Sequence, residues 1–415
     1  MSAGADGIDV PFAGLAAPQW WRLPRVSGAF IGVTLLFLAL NIQMLTFSGH
    51  LAAESDAGAG PALKVYHGLF GCFGLLLLAR GRLVRWRPEM IAYFVVVGLT
   101  ALVASYAFGP KAAIANMIFA GYAATVGGTI GLMAGPATTL RALRWVSVAV
   151  LLAVLVKGVI FLPDILRFLA APYGHPTLPT FYGGGPNVEA TWVAMSGVFL
   201  IGSRLFIPYM IGSAGLSVAY ASRVGLIIVV LVVVASVGRS LLGNEQGIPG
   251  RRWLLPVAVI LISGLGVFAA RGVQGADYIA QRFQSVGEDP GSTSRLALWT
   301  GGVRVFVSHP LGVGLGNAVP MVERTLAANV TEDNLHNQWL QQLVESGAQG
   351  FCAYILLIGL TWRRAAVSRL RDPLLLYIGI YFVIALLQFR GTEALLWFAY
   401  GLQSGAATPE GMHAA

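Results

Sequence analysis

One histidine and three arginines carry most of the reactive chemistry in this sequence. His336 stands in "NLHNQWLQQLVESG" (334–347), Arg295 in "TSRLALW" (293–299), Arg223 in "YASRVGLIIVV", and Arg390 in a tight turn between apolar runs. A neutral imidazole accepts a hydroxyl proton near neutral pH when a carboxylate orients it, and Glu332 and Asp333 lie close in sequence. A guanidinium matches phosphate oxygens through two parallel N–H bonds. These residue types point to a hydroxyl activated beside a bound phosphate. The ordinary alternatives are a packed or solvated histidine and surface arginines, and they suit Arg271, Arg282 and Arg324 well.

Composition says what must position such residues. The chain has 415 residues, of which 56% are hydrophobic and 11% charged. Soluble domains carry about 25% charged residues, so the chain reads as an integral membrane protein. Apolar runs recur at approximately 26–46, 65–79, 90–107, 112–134, 145–162, 188–203, 205–221, 224–238, 253–270, 347–362, 373–388 and 391–405. Each approaches the roughly 20 helical residues that cross the hydrocarbon. The fold expected is all-α, with about 12 transmembrane helices and both termini cytoplasmic. Residues 1–270 supply the first nine spans, 271–346 an outer loop, and 347–415 the last three with a tail.

The formal net charge of +9 does not imply nucleic acid, because Lys and Arg in a membrane chain set topology and meet anionic lipid. Arg80, Arg141, Arg144, Arg239 and Arg363 are among those assigned to the cytoplasmic side. Arg223, Arg295 and Arg390 fall on the disfavoured outer side. Arg223, just before a Val/Ile/Leu run, needs a partner because a buried lone charge is costly. A bound phosphate would supply one.

The outer segment 271–346 interrupts the spans. Ser294 or Thr293 can cap a helix beginning near Arg295, and "LALWTGGVRVF" suits an interfacial or re-entrant helix. "SHPLGVGLGN" (308–317) is glycine-rich; it is either a turn or a loop whose N–H groups approach a ligand. The final stretch reads as a helix with Asp333 or Asn334 as N-cap and a break at Gly347. On helical spacing His336, Leu340 and Leu343 share a face. A metal at His336 and Glu332 has no evident third ligand beyond His309, so no metal or cofactor is expected. Cys72 and Cys352, the 2 cysteines, both fall in expected spans, which disfavours a disulfide or thiolate site.

"SRLALWTGGVRVFVSHPLGVGLGN" followed by "LHNQWLQQLVESG" resembles the signature region of the bacterial O-antigen ligase and polymerase superfamily, over roughly 185–347. The resemblance implies a GT-C-like glycosyltransferase without obligatory metal or nucleotide sugar. Such an enzyme moves a glycan from undecaprenyl pyrophosphate to a hydroxyl at the periplasmic face of the inner membrane, with inversion. It implies that Arg223 and Arg295 engage the pyrophosphate and that His336 activates the acceptor. Asn337, from the same "H-N" pair, and Arg390 join them as substrate-binding residues. Val224 rather than Gly follows Arg223, a departure from the family pattern. The expected partners are undecaprenyl-pyrophosphate-linked O-antigen, lipid A–core oligosaccharide and membrane lipids. The first reading is a ligase and the second an O-antigen or exopolysaccharide polymerase; a protein-directed oligosaccharyltransferase comes third. From another class comes a lipid-linked oligosaccharide flippase or other transporter, which should show repeat symmetry and ionisable residues at mid-membrane.

Overall fold

Apolar runs without interior breakers become helices, and glycine or proline marks where they stop. The computed structural model describes residues 27–45, 64–81, 86–108, 112–170, 178–182, 185–242, 290–327, 334–364, 372–387 and 393–406. They form α1 (Gly28–Asn41), α2 (Val65–Ala79), α3 (Pro88–Phe108), α4 (Ala112–Ile160), α5 (Leu162–Ala170), α6 (Gly185–Ser196), α7 (Phe206–Ala219) and α8 (Arg223–Leu242). After these come α9 (Pro290–Ser308), α10 (Ala318–Leu326), α11 (Gln338–Arg364), α12 (Pro373–Ile384) and α13 (Ala394–Ala406). A 3₁₀ turn, Gly197–Leu200, prolongs α6. The described residues contain no strand.

Eleven of the twelve expected spans coincide with helices, and the run at 253–270 lies outside the described residues. The expectation of twelve spans narrows in one respect. Two helical stretches, Ile114–Ile160 and Gln338–Arg363, are long and apolar enough to cross a membrane by length and composition. Gly28–Asn41, Val65–Ala79, Pro88–Ala104, Phe206–Ala219 and Pro373–Ile384 are apolar but shorter. Large apolar side chains stay outside the packed core, Val103 at 74% and Val159 at 72% exposure. Patches of that kind suit lipid rather than water.

Two corrections concern helix boundaries. The expected loop between 134 and 145 is a sharp corner at Gly135–Pro136. Gly135 takes φ 68° and ψ 170° inside α4, so Arg141 and Arg144 are helical. The short helix α5 was not expected; it holds Ile165 against the core and pairs Asp164 with Arg167 at 3.5 Å on the surface.

Helix association in lipid depends on close packing, because there is little hydrophobic gain between apolar surfaces. The seam between α4 and α13 shows this. Gly127 and Gly131 face the backbone of Phe398 and Leu402, and a Cβ on Gly127 would come within 2.6 Å of the Phe398 carbonyl oxygen. Gly401 and Gly405 return the fit against Ala124 and Gly128. Around this seam α1 lies on α4, and α6, α7, α8 and α12 pack as a second group. Its centre is aromatic: Trp192 stacks near Tyr377 and Tyr381, and Phe199 stacks on Tyr377 with centroids 5.0 Å apart.

Candidate active site

His336 is not in a helix. It precedes α11 with φ 50°, a left-handed conformation that is uncommon for a side-chain-bearing residue and is often held for function. Bonds on both sides hold it. The His336 N–H donates to Asn334 Oδ1 at 2.8 Å, closing an Asx turn. Asn337 is the N-cap of α11, its Oδ1 accepting from the Leu340 N–H at 3.0 Å. Asp333 or Asn334 as N-cap is therefore corrected: Asn334 shapes the turn, and Asp333 lies outside the described residues. The shared face of His336, Leu340 and Leu343 is lost with the helix.

The peptide just before His336 is clamped at both ends. The indole Nε1–H of Trp299 donates to the Leu335 carbonyl at 2.8 Å. The Leu335 N–H donates to Gln341 Oε1 at 3.3 Å, and Gln341 Nε2 donates to Glu345 Oε1 at 3.1 Å. A carboxylate only accepts, so Glu345 turns the Gln341 amide to present its oxygen to Leu335. Downstream, the Gln338 N–H bonds the Ala385 carbonyl at 2.7 Å and Trp339 Nε1–H bonds the Phe382 carbonyl at 3.0 Å, seating the turn on the end of α12.

Arg295 lies one turn before Trp299 on α9. The helix begins at Pro290, not near Arg295 as the capping residues predicted, so Arg295 is in the second turn and half-buried. Leu298, Val305, Val322, Leu335 and Val344 form the small core joining α9, α10 and α11. Trp299 thus ties the helix of Arg295 to the turn of His336.

Arg223 reaches the same end by another route. Ser222 caps α8 by accepting from the Gly225 N–H at 3.1 Å, and its hydroxyl donates to the Asn187 carbonyl at 3.4 Å. Ala221, at φ 47°, closes the turn from α7. Arg223 is the first helical residue, half-buried. Tyr377 stacks on Phe199 and Tyr381 on Trp192, so the end of α12 at Ala385 lies toward the start of α6. Both Arg223 and the His336 turn therefore sit at one end of the bundle. Arg390 lies outside the described residues.

The glycine loop serves structure rather than an open ligand cradle. Gly312, Gly314 and Gly316 all have positive φ. The N–H groups of Val313 and Gly314 donate to the Val344 and Glu345 carbonyls at 3.0 and 2.8 Å. They satisfy carbonyls freed where α11 breaks at Gly347 (φ 69°, ψ −176°). His309 is held at the end of its own helix, with Nδ1 3.0 Å from Ser308 Oγ. The described residues contain no group of three or more metal-ligating side chains.

One feature escaped the sequence reading: Glu189, fully buried in α6 and salt-bridged to Lys157 of α4. Glu189 also accepts from Tyr220 OH at 3.1 Å and the Phe181 N–H at 2.7 Å, while Lys157 donates to the Pro179 carbonyl at 2.9 Å. A pair this buried persists only when its remaining hydrogen bonds are met, as they are here. It fastens α4, α6 and the end of α7 two residues from Asn187, whose carbonyl holds the Arg223 turn through Ser222. A lone carboxylate in an apolar run was the available signal.

Residues 190–355 match the family model described as O-antigen ligase. The chain carries an O-antigen ligase family domain. The O-antigen ligase domain contains Arg223, Arg295, His336 and Asn337, and Arg390 lies beyond it. The matched stretch, less than half of the chain, is similar to the O-antigen ligase and polymerase superfamily, whose members are membrane-associated enzymes of the glycosyltransferase kind. No curated protein matches the chain.

Proposed function

We propose that this protein is an O-antigen ligase. It transfers glycan from undecaprenyl pyrophosphate to a hydroxyl of lipid A–core oligosaccharide at the periplasmic face of the inner membrane. The observation that carries the proposal is the Trp299–Leu335 bond, which holds the arginine helix against the histidine turn. His336 takes the proton of the acceptor hydroxyl. The oxygen attacks the anomeric carbon opposite the leaving group, and the C–O bond to pyrophosphate breaks with its electron pair leaving on the phosphate. Inversion follows from that geometry. Arg295 and Arg223 neutralise the charge that accumulates on the lipid pyrophosphate. Asn337 and Arg390 complete the substrate contacts. The leaving group is good without a metal, so the transfer requires none.

Reconstitution with lipid-linked O-antigen and lipid A–core tests this. Lipopolysaccharide with a ladder of attached glycan is the ligase result. Longer lipid-linked polymer without core attachment assigns the polymerase instead. His336→Ala is expected to lower turnover about 10²–10⁴-fold while donor binding persists, as loss of a general base does; wild-type turnover would remove the base assignment. Arg223→Ala and Arg295→Ala are each expected to weaken binding of the lipid pyrophosphate. Normal donor binding by both would discard their role.

A further inference from the structure

The opposite end of the bundle holds a second arrangement of arginines that glycosyl transfer does not use. Arg239 lies 16 residues beyond Arg223 on α8, about 24 Å along the helix at 1.5 Å per residue. Arg144, on α4 just past the Gly135–Pro136 corner, donates from Nε to the Phe199 carbonyl at 2.7 Å. The 3₁₀ turn carrying Phe199 packs against both α4 and α8. It brings the two arginines close enough for their positive charges to act on each other.

Two like charges near each other in a low-dielectric setting are unfavourable unless an anion joins them. Among the described residues no group fills that place on Arg239: its Nη1 is buried and has no hydrogen-bond partner there. The Ser203 hydroxyl, in the turn after Phe199, is likewise buried and unpartnered. Asp372, the carboxylate at the start of α12 on this side, is already engaged by the Leu374 and Leu375 N–H groups and by Gln403 Nε2. Arg204 and Arg141 stand exposed nearby in sequence and add positive potential. Buried donors, two guanidiniums and a spent carboxylate describe a receptor for a tetrahedral oxyanion.

We propose that Arg144 and Arg239 form a binding site for a phosphate-bearing anion at the end of the bundle opposite His336. An anionic phospholipid headgroup and free phosphate share the chemistry, and basic pockets between membrane helices take such headgroups.

The test uses full-length protein purified in neutral detergent and stripped of lipid. Its thermal unfolding midpoint is read with phosphatidylglycerol, with phosphatidylcholine, and with inorganic phosphate. Phosphatidylglycerol is expected to raise the midpoint by a few degrees, as a ligand bound only to the folded state does, with phosphatidylcholine inert. An equal rise with millimolar inorganic phosphate assigns the site to soluble phosphate. Arg239→Gln is expected to abolish the rise, and Arg239→Lys, which keeps the charge and loses the fork, to reduce it. Arg363→Gln, an exposed arginine at the end of α11, is the control for general surface charge. A full rise in Arg239→Gln overturns the site, and so does an equal loss in Arg363→Gln. If Arg239→Gln does not fold, native mass spectrometry of Arg239→Lys decides: unchanged phosphatidylglycerol occupancy overturns the proposal.

Discussion

Two of the described helices break at a glycine, and the breaks differ in what surrounds them. Gly135 in α4 and Gly347 in α11 adopt nearly the same backbone, φ 68° with ψ 170° and φ 69° with ψ −176°. Only glycine occupies that region without strain. Around Gly135 a Cβ would meet nothing within 4 Å, and Pro136 follows. Around Gly347 it would run into Leu311 and come within 2.7 Å of the Gly312 nitrogen. The carbonyls released at the second break are recaptured by Val313 and Gly314. The first break is a corner that turns the chain. The second is a joint, packed against the glycine loop and carrying at its near end the turn that holds His336. Identical backbone angles therefore say little about role; the packing around them distinguishes the two.

Gly347→Ala separates the two most sharply. It adds the cost of the glycine-only conformation, about 1–3 kcal/mol, to overpacking of about 1–3 kcal/mol against the loop. A large fall in the unfolding midpoint is expected, with transfer lost in parallel because Glu345 and Gln341 sit on the same short segment as the break. A stable and fully active Gly347→Ala protein would show that the joint does not set the histidine turn.

Smaller effects are expected from loosening the clamp while leaving the joint intact. Trp299→Phe keeps an aromatic side chain but replaces the indole with a smaller ring that has no N–H, so the Leu335 carbonyl loses a bond worth about 0.5–1.5 kcal/mol. Turnover is expected to fall about tenfold, with donor affinity retained because Arg295 is untouched; about 1.4 kcal/mol corresponds to that factor. Gln341→Leu should act in the same direction through the Leu335 N–H. Glu345→Gln, which still offers an acceptor to Gln341, should retain more activity than Glu345→Lys, which presents only donors and reverses the amide. Steady-state rates against acceptor, beside donor binding, check the order. An equal fall in donor affinity and turnover would mean the clamp supports the fold at large.

The two breaks also show how far the sequence could be read. Helix positions followed from apolar runs, and Val65–Ala79 matches the expected span residue for residue, because lipid-facing helices need little beyond length and composition. Gly347 was legible as a break, since a glycine after a helical run has few other uses. The conformation of His336 was not. Asp333, Asn334 and Asn337 are all good N-cap types, and the choice among them rests on bonds to Trp299 and Ala385, each more than thirty residues away. The same limit hid Glu189, whose partner Lys157 lies on another helix. The glycine loop was ambiguous between turn and cradle until α11 appeared as the acceptor of its N–H groups. The residues with the right chemistry could be named; the bonds that hold them in place are long-range and leave no local pattern.

The smallest effect is expected at the corner. Gly135→Ala costs only the backbone strain, about 1–3 kcal/mol, because the added methyl meets open space. The unfolding midpoint should drop modestly while transfer at the opposite end keeps its wild-type rate in the folded protein. Arg144 stands nine residues past the corner, so a displaced corner would register first in phosphatidylglycerol stabilisation and only afterwards in turnover. Loss of transfer with the midpoint unchanged would contradict the comparison. It would mean that the corner in α4 is coupled to the His336 turn through the glycine seam with α13, and that both breaks are joints.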